Sequence, residues 1–272
     1  MKEIRYIAFL PGGNKTALVL GDKYDASEKK IINDAIMAAD PEIEQVGFVQ
    51  DVGDNPEGLP AFPTLDMAGG EFCGNATRSA AYYYLQGREG EMVMTVSGGN
   101  RVACGVHKAG EAWCEIPVGK GNCELVAEGI WQVELSGITH LVLEPETAAP
   151  YLEDRDFLKI PGLALIEKFH LNEQEAAGAI FLERLAGGRL KINPIVWVRD
   201  IESLFYETAC GSGTVATAIV FANKVKGNVS AEIVQPSGMS IRAEVESDGE
   251  TVTRAVISGP VETDLRVHTL KI

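Results

Sequence analysis

The sequence predicts an α+β protein made of two related halves, and three observations support this prediction. Strand-like segments outnumber helix-like segments in both halves of the 272-residue chain. Short strings of residues recur in the same order in the two halves. Each half also contains one segment that is apolar nearly all round, which is typical of a helix buried at the centre of a fold. We therefore expect a duplicated unit with a pseudo-two-fold axis.

Three pairs of strings carry the internal similarity. The first pair is identical at four of five positions, and the two cysteines of the second pair are separated by about half of the chain. Chance similarity in a chain rich in glycine and alanine is the alternative explanation. The pairs are Thr16–Leu20 with Thr139–Leu143, Cys73–Thr77 with Cys210–Thr214, and Ser97–Gly98 with Ser237–Gly238.

The first half is expected to contain strands around two helices. Asp25–Glu28 has the spacing of a capping box, so a helix should begin there and present the apolar residues of Ile31–Ala39 to the core. Turn formers in Asp51–Pro60 predict an exposed loop. Strands are expected at Ile4–Leu10, Thr16–Leu20, Val46–Val49, Leu65–Met67, Glu91–Val96, Arg101–His107 and Ala112–Ile116.

The second half repeats this organisation. Turn formers in Pro117–Gly121 mark the best boundary, which gives units 1–120 and 121–272, with the last strand allowed to cross back to the first unit. A helix is expected near Asp154–Phe169, interrupted at Pro161-Gly162. Strands are expected at Trp131–Leu135, Thr139–Leu143, Gly178–Leu182, Arg189–Val198, Ile233, Ile241–Val245 and Val252–Ile257.

Composition excludes several classes of partner. The hydrophobic fraction of 46% and the charged fraction of 23% are ordinary for a globular protein. A net charge of −15 makes nucleic acid and an anionic membrane surface unsuitable partners, because both require a basic face. The sequence contains no run of 18 apolar residues, so no membrane-spanning helix is expected. The first residues make a poor signal peptide. We expect a cytoplasmic protein whose five cysteines are reduced.

Cys73 and Cys210 each precede a predicted apolar helix with small residues at its start. A helix N-terminus offers free N–H groups and a positive dipole end, which can hold a carboxylate and lower the pKa of a thiol. Two such helix ends facing each other would grip one carboxylate and place a sulfur on each side of its α-carbon. That geometry suits exchange of the α-proton between the two faces of a stereocentre. No lysine signature for a pyridoxal cofactor is present, so no cofactor is expected.

Other interpretations of the cysteines are weaker. The four histidines and the cysteine pair show no metal-ligand spacing, so no metal site is expected. Cys104, Cys114 and Cys123 lie in strand or turn contexts and are interpreted as inert. A redox role would normally bring a resolving cysteine nearby, and the sequence has none.

The segments Glu71–Thr77 and Glu207–Thr214 resemble the two cysteine motifs of the diaminopimelate epimerase fold family. The resemblance implies two pseudo-symmetric domains, each a curved, mostly antiparallel sheet around a central helix, and a cofactor-independent reaction of two thiols. It also implies that Asn14 and Asn193 bind substrate. Glu44–Phe48, together with both cysteine motifs, is most similar to the histidine racemase branch of staphylopine-type metallophore biosynthesis.

One departure from the family pattern narrows the range of expected substrates. Diaminopimelate epimerases carry an arginine before the second cysteine that clamps a distal carboxylate, whereas Ser203–Ala209 contains none. A buried carboxylate without a partner costs several kcal/mol, so diaminopimelate should be a poor substrate. The alternatives left open are an epimerase of that type, a broad-specificity amino-acid racemase, an isomerase of larger substrates, and a non-enzymatic amino-acid-binding or thiol-redox protein.

The sequence therefore predicts a cofactor-independent amino-acid racemase with histidine as its leading substrate, and leaves a homodimer open. Glu71 would orient the first thiol or cap the helix, and His140 would be a packed strand residue or a pocket residue. The candidate site comprises Cys73 and Cys210 as the acid/base pair, the backbone N–H groups of Gly74, Asn75, Gly211 and Ser212 for the α-carboxylate, Glu207 for the α-ammonium, and Asn14 and Asn193.

Overall fold

The computed structural model describes residues 2–51, 62–108, 110–119 and 123–272. The predicted loop Asp51–Pro60 lies outside the described residues from position 52 onward, as does the predicted boundary between residues 120 and 121. In the first half the strands are β1 (Glu3–Pro11), β2 (Lys15–Leu20), β3 (Ile43–Gln50), β4 (Thr64–Met67), β5 (Gly90–Val96), β6 (Arg101–Lys108) and β7 (Glu111–Glu115), and the helices are α1 (Ala26–Ala39) and α2 (Gly74–Leu85).

The second half contains ten strands and three α-helices among the described residues. Short 3₁₀ turns lie at Ala149–Tyr151, Arg155–Phe157 and Ala186–Gly188, and another lies in the first half at Ser97–Gly99. The strands are β8 (Cys123–Ala127), β9 (Ile130–Leu135), β10 (Ile138–Leu143), β11 (Ala176–Arg184), β12 (Leu190–Val198), β13 (Ser203–Tyr206), β14 (Val229–Val234), β15 (Ser240–Ser247), β16 (Val252–Glu262) and β17 (Val267–Lys271), and the helices are α3 (Pro145–Ala148), α4 (Lys159–Lys168) and α5 (Gly211–Val225).

The two halves have the same strand pairing. In the first half β1–β2 is antiparallel, β2–β3 parallel, β3–β4 antiparallel, β4–β5 parallel, and β5–β6 and β6–β7 antiparallel. The second half repeats this succession of antiparallel and parallel pairs, in the order β9–β10, β10–β11, β11–β12, β12–β14, β14–β15 and β15–β16. Six matching pairs in one order are what a duplicated unit produces.

The recurring strings occupy equivalent places in these two units. Thr16–Leu20 lies in β2 and Thr139–Leu143 in β10. Gly98 lies in the turn between β5 and β6, and Gly238 in the turn between β14 and β15. Both glycines have positive φ angles, 78° and 88°, which a residue with a Cβ rarely adopts. The turn geometry therefore explains why glycine recurs at this position of the two units.

The C-terminal strands connect the two units. β16 pairs with β7 along five residue pairs and with the end of β1 at Leu10 and Pro11, so β1 to β7 and β16 form a closed ring around α2. β17 then pairs with the outer edge of β1. The boundary near residue 120 stays a prediction.

Each unit surrounds one buried helix. α2 contacts strands β1, β2, β6 and β7, while α5 contacts β9, β10, β14 and β15. The first eight residues of α2 are all buried, as are ten consecutive residues of α5 from Gly211 to Val220. Burying an aliphatic side chain such as Ile219 stabilises the fold by roughly 1.5–3 kcal/mol. The prediction of centrally buried helices after both cysteines is confirmed.

The outer helices largely follow the sequence signals. Asp25 caps α1 by accepting a hydrogen bond from the Glu28 N–H at 2.9 Å, and the Glu28 carboxylate accepts one from the Asp25 N–H, which confirms the capping box. The predicted break at Pro161 in α4 was wrong. Pro161 lies in the first turn of the helix, where its missing N–H would have no intrahelical partner. No helix in the described residues is long and apolar enough to cross a membrane.

Candidate active site

Cys73 and Cys210 occupy identical positions at the starts of α2 and α5. Each is the N-cap residue, with φ −128° in both and ψ of 110° and 108°. Each sulfur accepts a hydrogen bond over 3.3 Å from the N–H three residues later, donated by Ala76 and Gly213 respectively. The thiols are therefore held in matching orientations by the helices that they cap.

The two helix N-termini meet at the junction of the units. The Asn75 side-chain amide donates to the Ala209 carbonyl over 2.9 Å. A Cβ built on Gly211 would lie 3.4 Å from Asn75 Oδ1 and 2.7 Å from Ile257 Cδ1. The same Ile257 methyl would lie 2.8 Å from a Cβ on Gly74. A methyl group at either position would therefore displace the Ile257 side chain that packs against both helix ends.

One pocket of about 600 Å³, including its opening to solvent, lies between the helix ends. The structure brings seven of the nine predicted site residues to its wall. Among the described residues, the wall contains three glutamates and no lysine or arginine. The predicted residues that line the pocket are Cys73, Gly74, Asn75, Glu207, Cys210, Gly211 and Ser212.

The other two predicted residues, Asn14 and Asn193, are fully buried outside the pocket wall. Asn14 donates to the Glu44 carboxylate over 2.7 Å, so it supports a residue that does line the pocket. Asn193 accepts a hydrogen bond from the Tyr206 hydroxyl over 2.7 Å and donates to the Phe181 carbonyl. Both amides are engaged by protein groups, and direct substrate binding by them stays a prediction.

Gln45 joins the two half-sites. Its side-chain oxygen accepts a hydrogen bond from the Cys73 thiol over 2.9 Å, and its amide donates to Glu207 over 2.8 Å. The Glu207 carboxyl also interacts with the Cys210 thiol and raises its pKa. No role for Gln45 was predicted, although it lies in the string Glu44–Phe48 on which the resemblance to histidine racemases partly rests.

Comparisons with known proteins agree with this geometry. Residues 3–265 match the family model described as the histidine racemase CntK N-terminal domain. The chain belongs to this family. It is 29% identical to a histidine racemase of Fusobacterium nucleatum subsp. nucleatum over 94% of this chain and 93% of the relative. It is 27% identical to the histidine racemase of Staphylococcus aureus over 86% of both chains.

Solved structures confirm the predicted fold class. A hydroxyproline epimerase from Agrobacterium vitis superimposes with a TM-score of 0.67 at 11% identity, covering 98% of this chain and 92% of that one. A protein of the PhzF phenazine biosynthesis family from Enterococcus faecalis gives a TM-score of 0.60 at 14% identity, with full coverage of both chains. At these identities the likeness concerns the fold alone.

The pKa values in this CntK family member differ from the expectation for exposed helix ends. Burial raises the pKa of both cysteine thiols above the ordinary value, and the carboxylate of Glu207 adds to the effect. The hydrogen bonds from Ala76 and Gly213 act in the opposite direction but are outweighed. The expectation of a lowered thiol pKa was therefore wrong, because it ignored the loss of solvation.

Burial also raises the pKa values of the pocket carboxyls. The pKa of Glu207 rises to about 8, with Glu44 adding to the shift, and that of Glu71 rises to about 7. The carboxyls and the thiols are therefore shifted in the same direction, because ionising either kind of group would place a negative charge in a poorly solvated pocket.

His140 lies directly behind the second thiol. Its Nε2 is 2.9 Å from Ser212 Oγ, and that hydroxyl is 3.6 Å from Cys210 Sγ. Burial lowers the pKa of His140 to about 3, so the ring is neutral. His140 does not line the pocket, and its contact with Ser212 resolves the choice left open by the sequence in favour of a packed strand residue that touches the site.

Arg78 is a buried cation that the sequence did not reveal. It is fully buried on α2 and donates to Asn75 Oδ1 over 2.9 Å. Its Nε and Nη1 atoms have no hydrogen-bond partner among the described residues. Arg78 therefore fixes the amide that joins the helix ends and places positive charge behind the N-terminus of α2.

Proposed function

We propose that this protein is a cofactor-independent amino-acid racemase that interconverts L- and D-histidine with Cys73 and Cys210 as its acid/base pair. The observation that carries the proposal is the symmetric placement of the two thiols, each capping a helix that begins at one shared pocket. The relatives that match almost the whole chain are histidine racemases, which supports histidine as the substrate.

The substrate carboxylate would lie between the two helix ends. The first N–H groups of a helix have no intrahelical acceptor, and here those of Gly74, Asn75, Gly211 and Ser212 border the pocket. The same groups would stabilise the enediolate that forms when the α-proton leaves. The buried guanidinium of Arg78 adds positive charge behind them.

The reaction removes a proton from one face of the α-carbon and delivers a proton to the opposite face. One cysteine, as thiolate, removes the α-proton, and the electron pair of that C–H bond moves into the carboxylate to form the enediolate. The opposite thiol then donates its proton to the other face, and the electron pair returns to the new C–H bond. Each turnover leaves the first cysteine protonated and the second as thiolate, so a proton must pass back from the first to the second before the same enantiomer can react again.

Glu207 would serve both the substrate and the second thiol. Its ionised carboxylate lies beside Cys210, where it could take up the thiol proton. The α-ammonium group would bind beside it and would add positive charge to a pocket that otherwise holds Glu44, Glu71 and Glu207. That positive charge would lower the pKa of the thiols and favour a thiolate in the bound complex.

The pocket disfavours the diaminopimelate alternative. The distal carboxylate of such a substrate would need a cation, and no lysine or arginine lines the pocket among the described residues. A small-molecule substrate, a cytoplasmic location, a place in metallophore biosynthesis and a homodimer rest on the sequence and its resemblance and are proposals here. The net charge of −15 supports the further proposal that nucleic acid and anionic membranes are not partners.

Proton NMR in heavy water tests the function. The protein, kept reduced, is incubated separately with L-histidine, D-histidine and a panel of other amino acids. We expect the α-proton signal of histidine to disappear from both enantiomers and optical rotation to decay to zero. Exchange with other amino acids but not with histidine would contradict the substrate, and no exchange with any of them would contradict the racemase proposal.

A further inference from the structure

Two polar atoms in the pocket wall, Glu71 Oε2 and Ser203 Oγ, are buried and make no hydrogen bond with any residue that the structure describes. The backbone N–H groups of Gly69 and Glu71 act on the Glu71 carboxyl, but they leave this oxygen unpaired. The Glu71 side chain is more than nine-tenths buried. A buried polar group without a partner is costly, so such groups in a pocket mark positions where a ligand supplies the missing hydrogen bonds.

Ser203 belongs to a flat wall formed by β12 and β13. In this antiparallel pair Val196 lies opposite Phe205, and Val198 lies opposite Ser203. Directly opposed residues of an antiparallel pair project from the same face of the sheet. All four line the pocket, so the wall presents an aromatic ring, two valines and one hydroxyl.

Glu71 reaches the edge of this wall. A Cβ built on Gly69 would lie 2.7 Å from Glu71 Oε2 and 2.5 Å from Val198 Cγ1, so the carboxylate oxygen lies beside the valine that Ser203 opposes. The unpaired acceptor and the unpaired hydroxyl therefore border the same stretch of wall. Glu71 is also only two residues from Cys73, which connects this wall to the position of the thiols.

We propose that Glu71 and Ser203 bind the imidazole ring of the substrate and thereby select histidine. A neutral imidazole has one N–H donor and one nitrogen acceptor. Glu71 accepts from the N–H, Ser203 donates to the other nitrogen, and the Phe205 and valine side chains contact the ring. This inference rests on the proposed function, because it concerns the side chain of the same substrate.

The arrangement explains how other amino acids would be rejected. An aliphatic side chain leaves the Glu71 and Ser203 groups unpaired, and a site built to hydrogen-bond a polar substrate rejects apolar analogues strongly, by up to about 10⁴-fold. An acidic side chain would meet the Glu71 carboxylate.

Steady-state kinetics of Glu71→Gln and Ser203→Ala test the inference. We expect the KM for L-histidine to rise about 10- to 100-fold in Glu71→Gln and somewhat less in Ser203→Ala, with kcat within about threefold of wild type, because hydrogen bonds to charged groups are the stronger ones. Glu244→Gln and Ser230→Ala are matched exposed controls and should leave both constants unchanged. Circular dichroism and the Tm verify folding.

The two ring-methylated histidines identify which part of the substrate Glu71 binds. Each is measured as a substrate or, where turnover is slow, as an inhibitor of histidine exchange. We expect the wild type to prefer histidine over at least one methylated form and Glu71→Gln to lose most of that preference. An equal loss for all three compounds would mean that Glu71 binds the α-ammonium and would overturn the inference, as would a fall in kcat at unchanged KM. If the wild type itself exchanges no histidine, the proposed function fails first.

Discussion

The Cys73 thiol donates a hydrogen bond to Gln45 over 2.9 Å, and through the Gln45 amide it is coupled to Glu207 beside the second thiol. Cys73 and Glu207 come from different halves of the chain. A thiol that is hydrogen-bonded through an amide to the carboxyl of the opposite half-site cannot change its protonation independently of that carboxyl. The thiol and the carboxyl are therefore linked across the pocket by one neutral side chain.

Replacing Gln45 should disturb this link. The methionine side chain in Gln45→Met has a similar volume but offers neither the acceptor for the thiol nor the donor for Glu207. We therefore expect kcat for histidine racemisation to fall about 10- to 100-fold. The measurement is the initial rate of α-proton exchange from each enantiomer. Gln132→Met, on β9 away from this pocket, is the control. Unchanged rates in Gln45→Met would show that the amide only packs.

The cysteine pair itself gives the most direct prediction. Cys73→Ser and Cys210→Ser should each lower the racemisation rate at least about 10³-fold, because a serine hydroxyl is a far weaker acid and base at neutral pH and both groups act in every turnover. Polarimetry of L- and D-histidine measures the rate. Cys123→Ser, on β8, should retain activity. Full activity in both directions in either active-site variant would contradict the two-thiol assignment.

The buried Glu207 carboxyl should make stability depend on pH. Its pKa is raised from 4.5 to about 8, so the folded state holds a proton that the unfolded state releases between those values. Stability from this group is complete below pH 4.5 and is lost as the pH rises toward 8, by at most about 1.4 kcal/mol per pH unit. Urea unfolding of wild type and Glu207→Gln from pH 5 to 9 should show a steeper decline in the wild type. Parallel declines would contradict the shift, although Glu71 contributes a smaller decline to both proteins.

The packing of the helix ends predicts the cost of a single methyl group. In Gly211→Ala the new Cβ would lie 2.7 Å from Ile257 Cδ1, so we expect a loss of about 1–3 kcal/mol in the free energy of unfolding. Gly227→Ala, whose Cβ would meet nothing within 4 Å, is the matched control and should be neutral or stabilising. Ile257→Val in the Gly211→Ala background should recover part of the loss. An unchanged stability in Gly211→Ala would mean that the helix ends can separate.

Much of the fold was accessible from local sequence patterns. The capping box at Asp25–Glu28, the small residues after each cysteine and the Ser-Gly turns each act within a few residues, so their signals survive in the sequence. Strands whose partners are distant were harder to predict. β8, β13 and β17 were missed, since short, half-exposed strands lack a strong apolar pattern and depend on neighbours to form.

The supporting residues of the candidate site could not be predicted in the same way. Gln45 contacts Glu207 across 162 residues of sequence, and His140 contacts Ser212 across 72. Neither pair has a spacing rule, because the contact exists only when separate strands and helices assemble. Asn14 and Asn193 were assigned to substrate binding by resemblance alone. In the structure they form hydrogen bonds with Glu44 and Tyr206, and the resemblance had predicted neither contact.

The sequence by itself determined the duplicated α+β unit and the two cysteines at helix starts, because helix caps, turns and repeats are local and are written into short strings. Only the tertiary structure decided that the helix ends meet in one pocket, that Gln45 links the half-sites, and that Glu71 and Ser203 remain unpaired in its wall. It also reversed the expected thiol pKa shift. The reason is physical: burial and long-range contacts set solvation and hydrogen bonding, and both are properties of the assembled molecule.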